Sequence, residues 1–171
     1  MIHIETIELG SSQASITFSS IPQEYTDLKI LVSARSDRTS ADGDEIQMQL
    51  NSESSSSIVL YGTGSGVSTY SVTDDRVAFI SGDNVTANTF NNASIYISNY
   101  TSTNNKSVSS DSVWENNATR ADQALFAFLS TSSEATTSIT LNPRVGTNFL
   151  AGSTFSLYGI TAGSDGTTTV T

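Results

Sequence analysis

The side chains able to do covalent or metal chemistry are few. Among 171 residues there is one histidine, His3, and no cysteine. A Ser-His-acid triad would have to recruit that terminal imidazole, and the abundant serines are composition rather than signal, since Ser and Thr form nearly a third of the chain. A lone His beside the start reads as a polar residue of an edge strand. Zinc lacks a ligand set and disulfides are excluded. Calcium is the one metal worth weighing, because Asp37, Asp42, Asp44 and Glu45 crowd one stretch and Asp74-Asp75 and Asp83-Asn84 lie in others. Their spacing does not fit an EF-hand, and a solvated acidic turn is the preferred reading. Paired glycosidase carboxylates cannot be placed among 17 acids. Gly62-Thr63-Gly64-Ser65-Gly66 lacks the lysine of a phosphate loop and reads as a hairpin tip. Asn-x-Ser/Thr triplets begin at Asn84, Asn92, Asn99, Asn105 and Asn117, as chance supplies in so hydroxyl-rich a chain. The sequence therefore points to no enzyme, no cofactor and no metal.

Aromatic side chains are the remaining candidates for recognition. Tyr96 and Tyr100 share a strand face opposite Ile95 and Ile97, while Tyr61, Tyr70 and Trp114 lie elsewhere. Exposed, such rings stack on sugars or anchor a protein interface. Tyr96 reads as an interface residue and Trp114 as core.

The elements that would carry these residues are strands. Ile46, Met48 and Leu50 alternate with polar residues, as do Leu28, Ile30, Val32 and Ala34, then Ile95 and Ile97, then Ile139 and Leu141. Ala124 to Leu129 is apolar on both faces, which suits a central strand covered on both sides, with a short helix from Arg120 as the competing reading. Ile2 and Ile4 share one phase and Ile7 and Leu9 the other, so a bulge near Glu5 or Thr6 is expected. Ile16 to Phe18, Ile58 to Tyr61, Val67 to Val72, Arg76 to Ile80, Ser107 to Trp114 and Ser153 to Ile160 complete the set. Polar breakers such as Ser40-Ala41-Asp42-Gly43 separate them. About ten short strands at even spacing predict an all-β fold, an antiparallel β-sandwich of jelly-roll type. Its expected core is Ile30, Val32, Ile46, Met48, Leu50, Ile95, Ile97, Phe126, Phe128, Ile139, Leu141, Phe155 and Leu157. One domain over residues 1–160 is expected, followed by a flexible Gly/Ser/Thr-rich tail over 161–171.

The net charge is -10, so the surface repels phosphate backbones and nucleic acid is not an expected partner. No stretch approaches the roughly 20 apolar residues of a membrane span, and Met1 to Glu5 does not read as a secretory signal.

Three stretches carry a resemblance. Ile21-Pro22-Gln23-Glu24-Tyr25-Thr26-Asp27-Leu28-Lys29-Ile30, then Ile95-Tyr96-Ile97-Ser98-Asn99-Tyr100 continuing to Lys106-Ser107-Val108, and finally Ser153 to Ile160 together resemble small β-sandwich virion proteins of tailed phages, cyanophages especially. The similarity spans residues 1 to about 160, and its motifs are structural. The resemblance implies a non-enzymatic virion protein, foremost a capsid decoration (cement) protein on the outer shell, bound to the major capsid protein and to itself as a homotrimer. The alternative is a tail- or fibre-associated module, either structural or binding carbohydrate receptors through Tyr96, Tyr100 or Trp114. The expected contact residues are Ile2 and Ile4 on the first strand, Leu31 on a second face, Tyr96 and Tyr100, and Val170 in the tail.

Overall fold

The computed structural model describes residues 1–53, 55–63 and 66–161, with the side chains of 55–63, 70 and 72 excepted. Val170 and the tail beyond Thr161 lie outside the described residues. Twelve strands and no helix occur among those described. They are β1 (Ile2–Glu8), β2 (Ile16–Phe18), β3 (Asp27–Ala34), β4 (Gly43–Leu50), β5 (Ser55–Thr63), β6 (Gly66–Val72), β7 (Arg76–Ser81), β8 (Asn91–Ile97), β9 (Lys106–Glu115), β10 (Ala121–Ser130), β11 (Ile139–Pro143) and β12 (Thr154–Ile160).

All named pairings are antiparallel, in one sheet of eight strands ordered β1-β12-β3-β8-β9-β10-β5-β6 and one of four ordered β2-β11-β4-β7. Set aside the hairpins β5–β6 and β9–β10. The remaining eight strands form the two interleaved four-stranded sheets β1-β12-β3-β8 and β2-β11-β4-β7, with the chain crossing between them as in a jelly roll. The two hairpins enlarge only the first sheet. The large sheet therefore runs past its partner.

Period-two patterning explains each layer. β3, β4, β8, β11 and β12 each bury one set of alternate side chains, and all thirteen expected core residues are buried. The main cluster joins the two sheets through Ile30, Leu157, Ile95, Met48 and Leu141. A second, smaller cluster of Trp114, Ala124 and Phe126, with Phe79 against it, lies where β7 faces the extension.

β7 is the outer strand of the small sheet, yet its outer edge is not bare. The Ser110 hydroxyl donates to the Val77 carbonyl, the Phe79 amide donates to Ser112 Oγ at 3.1 Å, and Asn91 Nδ2 donates to the Phe79 carbonyl at 2.5 Å. The polar inner face of β9 is thus matched to strand-edge groups that would otherwise be buried unpaired.

The bulge expected near Glu5 is present, and two other local expectations are corrected. The bulge falls at Ile4, between the pairs His3–Tyr158 and Glu5–Leu157. It lets both Ile4 and Ile7 pack on the core and leaves Ile2 exposed. β10 is a strand, central between β9 and β5 as expected, but it is covered on one side only. Leu125 and Leu129 are 45% and 41% exposed, because the small sheet covers one face and nothing described covers the other. Tyr100 lies beyond the end of β8 in a turn whose Asn99 has φ 48°, and its ring swings inward.

Candidate functional site

The acidic stretch after β3 is a clasp. Asp44, at the start of β4, is fully buried. Its Oδ2 accepts from the Ser36 hydroxyl and the Gly146 amide, both at 2.9 Å, and its Oδ1 from the amides of Glu45 and Val145 at 2.8 and 3.2 Å. Asp37 Oδ1 accepts from the amides of Thr147 and Asn148, and Asn148 Nδ2 donates to Oδ2. Burial acts to raise the Asp37 pKa, but the Asn148 and Thr147 donors outweigh it and hold the carboxyl below its ordinary value. Arg38, Arg76 and Arg144 converge on Glu45, with Arg76 Nη1 at 3.1 Å. Asp42 accepts from Asn84 Nδ2 at 2.8 Å and lies 3.6 Å from Arg120. These carboxylates are thus saturated by arginines and amides, and no group of three or more His, Cys, Asp or Glu that could hold a metal occurs among the described residues. The clasp joins the β3–β4 turn to the β11–β12 loop.

The three stretches that carry the resemblance meet in space. β12, β3 and β8 are adjacent, with Leu157 opposite Ile30 and Ile30 opposite Ile95. The Tyr25 ring lies over Gly159, where a Cβ would come within 2.3 Å of ring carbons. The Tyr100 hydroxyl donates to the Pro22 carbonyl, and burial raises its pKa. Tyr100 is therefore a core residue, and its assignment as an interface aromatic is corrected: fully buried, it has no surface to offer. Lys106, in the second stretch, is buried as well. Its ammonium donates to the carbonyls of Ser102, Asn104, Glu134 and Ser132 at 2.8, 2.6, 2.8 and 3.3 Å, and desolvation lowers its pKa.

The opposite surface, the outer face of the large sheet, gathers the remaining expected contacts. One cross-strand row reads His3, Tyr158, Lys29, Tyr96, Ser109 and Ala127. The next reads Thr6, Ser156, Leu31, Ser94, Asp111 and Leu125. Leu31 is 38% exposed. Tyr96 is half-buried, and its hydroxyl donates to Asp27 Oδ2 at 2.6 Å, which pushes its pKa up to about 12 with desolvation second. His3 stands edge-on to Tyr158 at 5.5 Å and shares a polar chain with Thr6 and Ser156. Leu31 and Tyr96 are thus brought together on one face, while Ile2 sits at its β1 edge. Tyr158, Leu125 and Leu129 belong to the same face and were not singled out from sequence. The alternation of Ser156 and Tyr158 with buried Leu157 was the available signal. Trp114 is buried and stacks on Phe79, with ring centroids 4.5 Å apart.

No protein-family model, no curated protein and no solved structure matches this chain.

Proposed function

We propose that this protein is a non-enzymatic virion protein of a tailed phage, a capsid decoration protein that binds the major capsid protein and braces the outer shell. The observation that carries this reading is the outer face of the eight-stranded sheet. Eight strands at about 4.8 Å spacing make a surface roughly 34 Å wide. Away from its ends its central strands present only Lys29 and Asp111 as charges, among Ser, Thr and Tyr, with Leu31, Leu125 and Leu129 exposed. A broad surface with few charges and exposed aliphatic and tyrosine side chains is suited to a protein interface. The resemblance supplies the setting. The chain's acidity supports an outward position, because a protein facing packaged DNA would be basic. Contacts that span capsid subunits stabilise the shell by mass action.

In the same reading copies gather as a homotrimer, with β1 (Ile2 and Ile4) and the tail (Val170) as contact elements. Light scattering at micromolar concentration should report the trimer, and a monomer would remove it. The docking face is tested by sedimenting the purified chain with capsid shells that lack it. Leu31→Glu with Leu125→Glu should abolish co-sedimentation while the circular dichroism spectrum stays that of a β-protein. Undiminished binding by the double variant would overturn this face as the docking surface. Binding to tails instead of shells would move the protein to the alternative place, a tail-associated module.

A further inference from the structure

The two sheets have four edges between them, and three of these are guarded against a further strand, each by a different means. β2 has only three residues. The side chains of Ser110, Ser112 and Asn91 bond to the Val77 and Phe79 backbone groups on the edge of β7. β1 carries the bulge at Ile4 and the exposed carboxylates of Glu5 and Glu8.

β6 has none of these devices. It runs for seven residues, and its outer edge is paired to no described strand. Its pairing with β5 keeps one register from Ser57–Val72 to Thr63–Gly66, so no bulge bends it. It holds neither proline nor charge, and the chain from residue 54 to residue 73 is uncharged throughout. The next acid, Asp74, is already held by Arg76 at 2.7 Å. Val67 is 72% exposed, and Ser68, Thr69 and Ser71 are exposed with it. Such an edge offers a row of backbone N–H and C=O groups, and the backbone of another strand is what satisfies the whole row.

The strand that fits best is a second β6. With a net charge of -10, two copies repel wherever their acids face. At β6 no like charges meet. The β1 edge as partner would bring Glu5, Glu8 and its bulge. A two-fold contact must be self-complementary, and an antiparallel strand paired with its own copy meets that condition directly. Centred on Thr69, the middle residue, the pair uses the whole strand.

We propose that β6 pairs antiparallel with β6 of a second copy about a two-fold axis near Thr69, so that the two eight-stranded sheets continue into one another. The proposal does not rest on the capsid assignment, and this two-fold contact is separate from the three-fold contact of β1 and the tail. Seven residues a side is well below the roughly 20–30 a side of a standard interface. The contact is therefore weak in dilute solution and takes hold where copies are already crowded.

The full chain is measured by sedimentation equilibrium from about 1 μM to about 1 mM, the range in which so small a contact associates. Its mass should rise at least twofold across that range. Val67→Lys with Thr69→Lys sets lysines of the two copies against each other, and should hold the mass at its dilute value while circular dichroism stays that of a β-protein. A parent mass that does not rise, or a variant that associates as the parent does, would overturn the proposal. Should the variant fail to fold, a cysteine decides the matter, because the chain has none of its own. Paired Cα atoms of antiparallel strands lie about 4.5–5.5 Å apart, within the span of a disulfide. Thr69→Cys should therefore crosslink to its own copy under mild oxidation at the high end of that range. Ser109→Cys, exposed on the outer face of β9, should remain uncrosslinked. Equal crosslinking at the two positions, or none at Thr69→Cys, would overturn the pairing.

Discussion

The two halves of the large sheet are built by different rules. The half β1-β12-β3-β8 faces the whole small sheet and buries aliphatic side chains continuously, from Leu28, Ile30 and Val32 to Phe155 and Leu157. The half β9-β10-β5-β6 reaches past the small sheet and meets chiefly its last strand, β7, although Val108 and Phe128 still join the main cluster. Beyond Val108 the inner face of β9 turns polar, with Ser110 and Ser112 serving the edge of β7, and a separate small apolar cluster forms from Trp114, Ala124, Phe126 and Phe79. A full facing layer is held by area. A partial one is held by side chains placed to satisfy a strand edge. The jelly-roll half is the stability of the molecule, and the extension is added surface.

The largest effect should come from removing an aromatic in the first half. Phe155→Ala, fully buried against Phe149, should cost about 3–5 kcal/mol and lower the unfolding midpoint of the whole protein in denaturant titration. Phe126→Ala should act more locally. Amide exchange should rise first in β5, β6 and β10, with the β3 and β12 amides keeping their protection. Equal loss of protection in both halves would break the comparison.

The next effect is at the seam of the three resembling stretches. Gly159→Ala places a methyl against the Tyr25 ring and should cost about 1–3 kcal/mol by overpacking. Gly159→Ala with Tyr25→Ala should recover part of that loss in a double-mutant cycle.

The clasp makes a pH-dependent contribution. The folded pKa of Asp37 is lowered, so its stabilisation is fully present above its ordinary value of 3.8 and is lost as pH falls below that through the folded value. Acid titration of stability should therefore show a weaker dependence below pH 3.8 in Asp37→Asn than in the parent. Identical acid limbs would remove Asp37 from the account. Smallest is Tyr96. Its folded pKa of about 12 lies above the ordinary phenol value of 10.0, so its contribution is complete below pH 10.0 and is lost as pH rises toward 12. Asp27→Asn should bring this phenol back toward 10.0 in a spectrophotometric titration.

Period two made the strands legible, and every window read from the alternation is a strand in the structure. The inner row was legible because Ile30, Ile95 and Leu157 alternate cleanly. What alternation cannot give is which faces find a partner layer. Leu125 and Leu129 look like core beside Phe126 and Phe128, and they are surface because no described element covers the outer face of β10. Tyr100 failed for the converse reason: extending the β8 alternation past Ile97 ignored the turn at Asn99 that points the ring inward. The role of Asp44 was hidden too, because its donors Val145 and Gly146 lie a hundred residues away in sequence.

The central claim is that the broad sheet face serves a shell assembled from many subunits. Quantitative densitometry of purified tailed-phage particles that carry this chain, against the major capsid protein on the same gel, tests it most directly. A decoration protein should be present at a copy number comparable to that of the major capsid protein. A handful of copies per particle would contradict the assignment and place the chain in the tail.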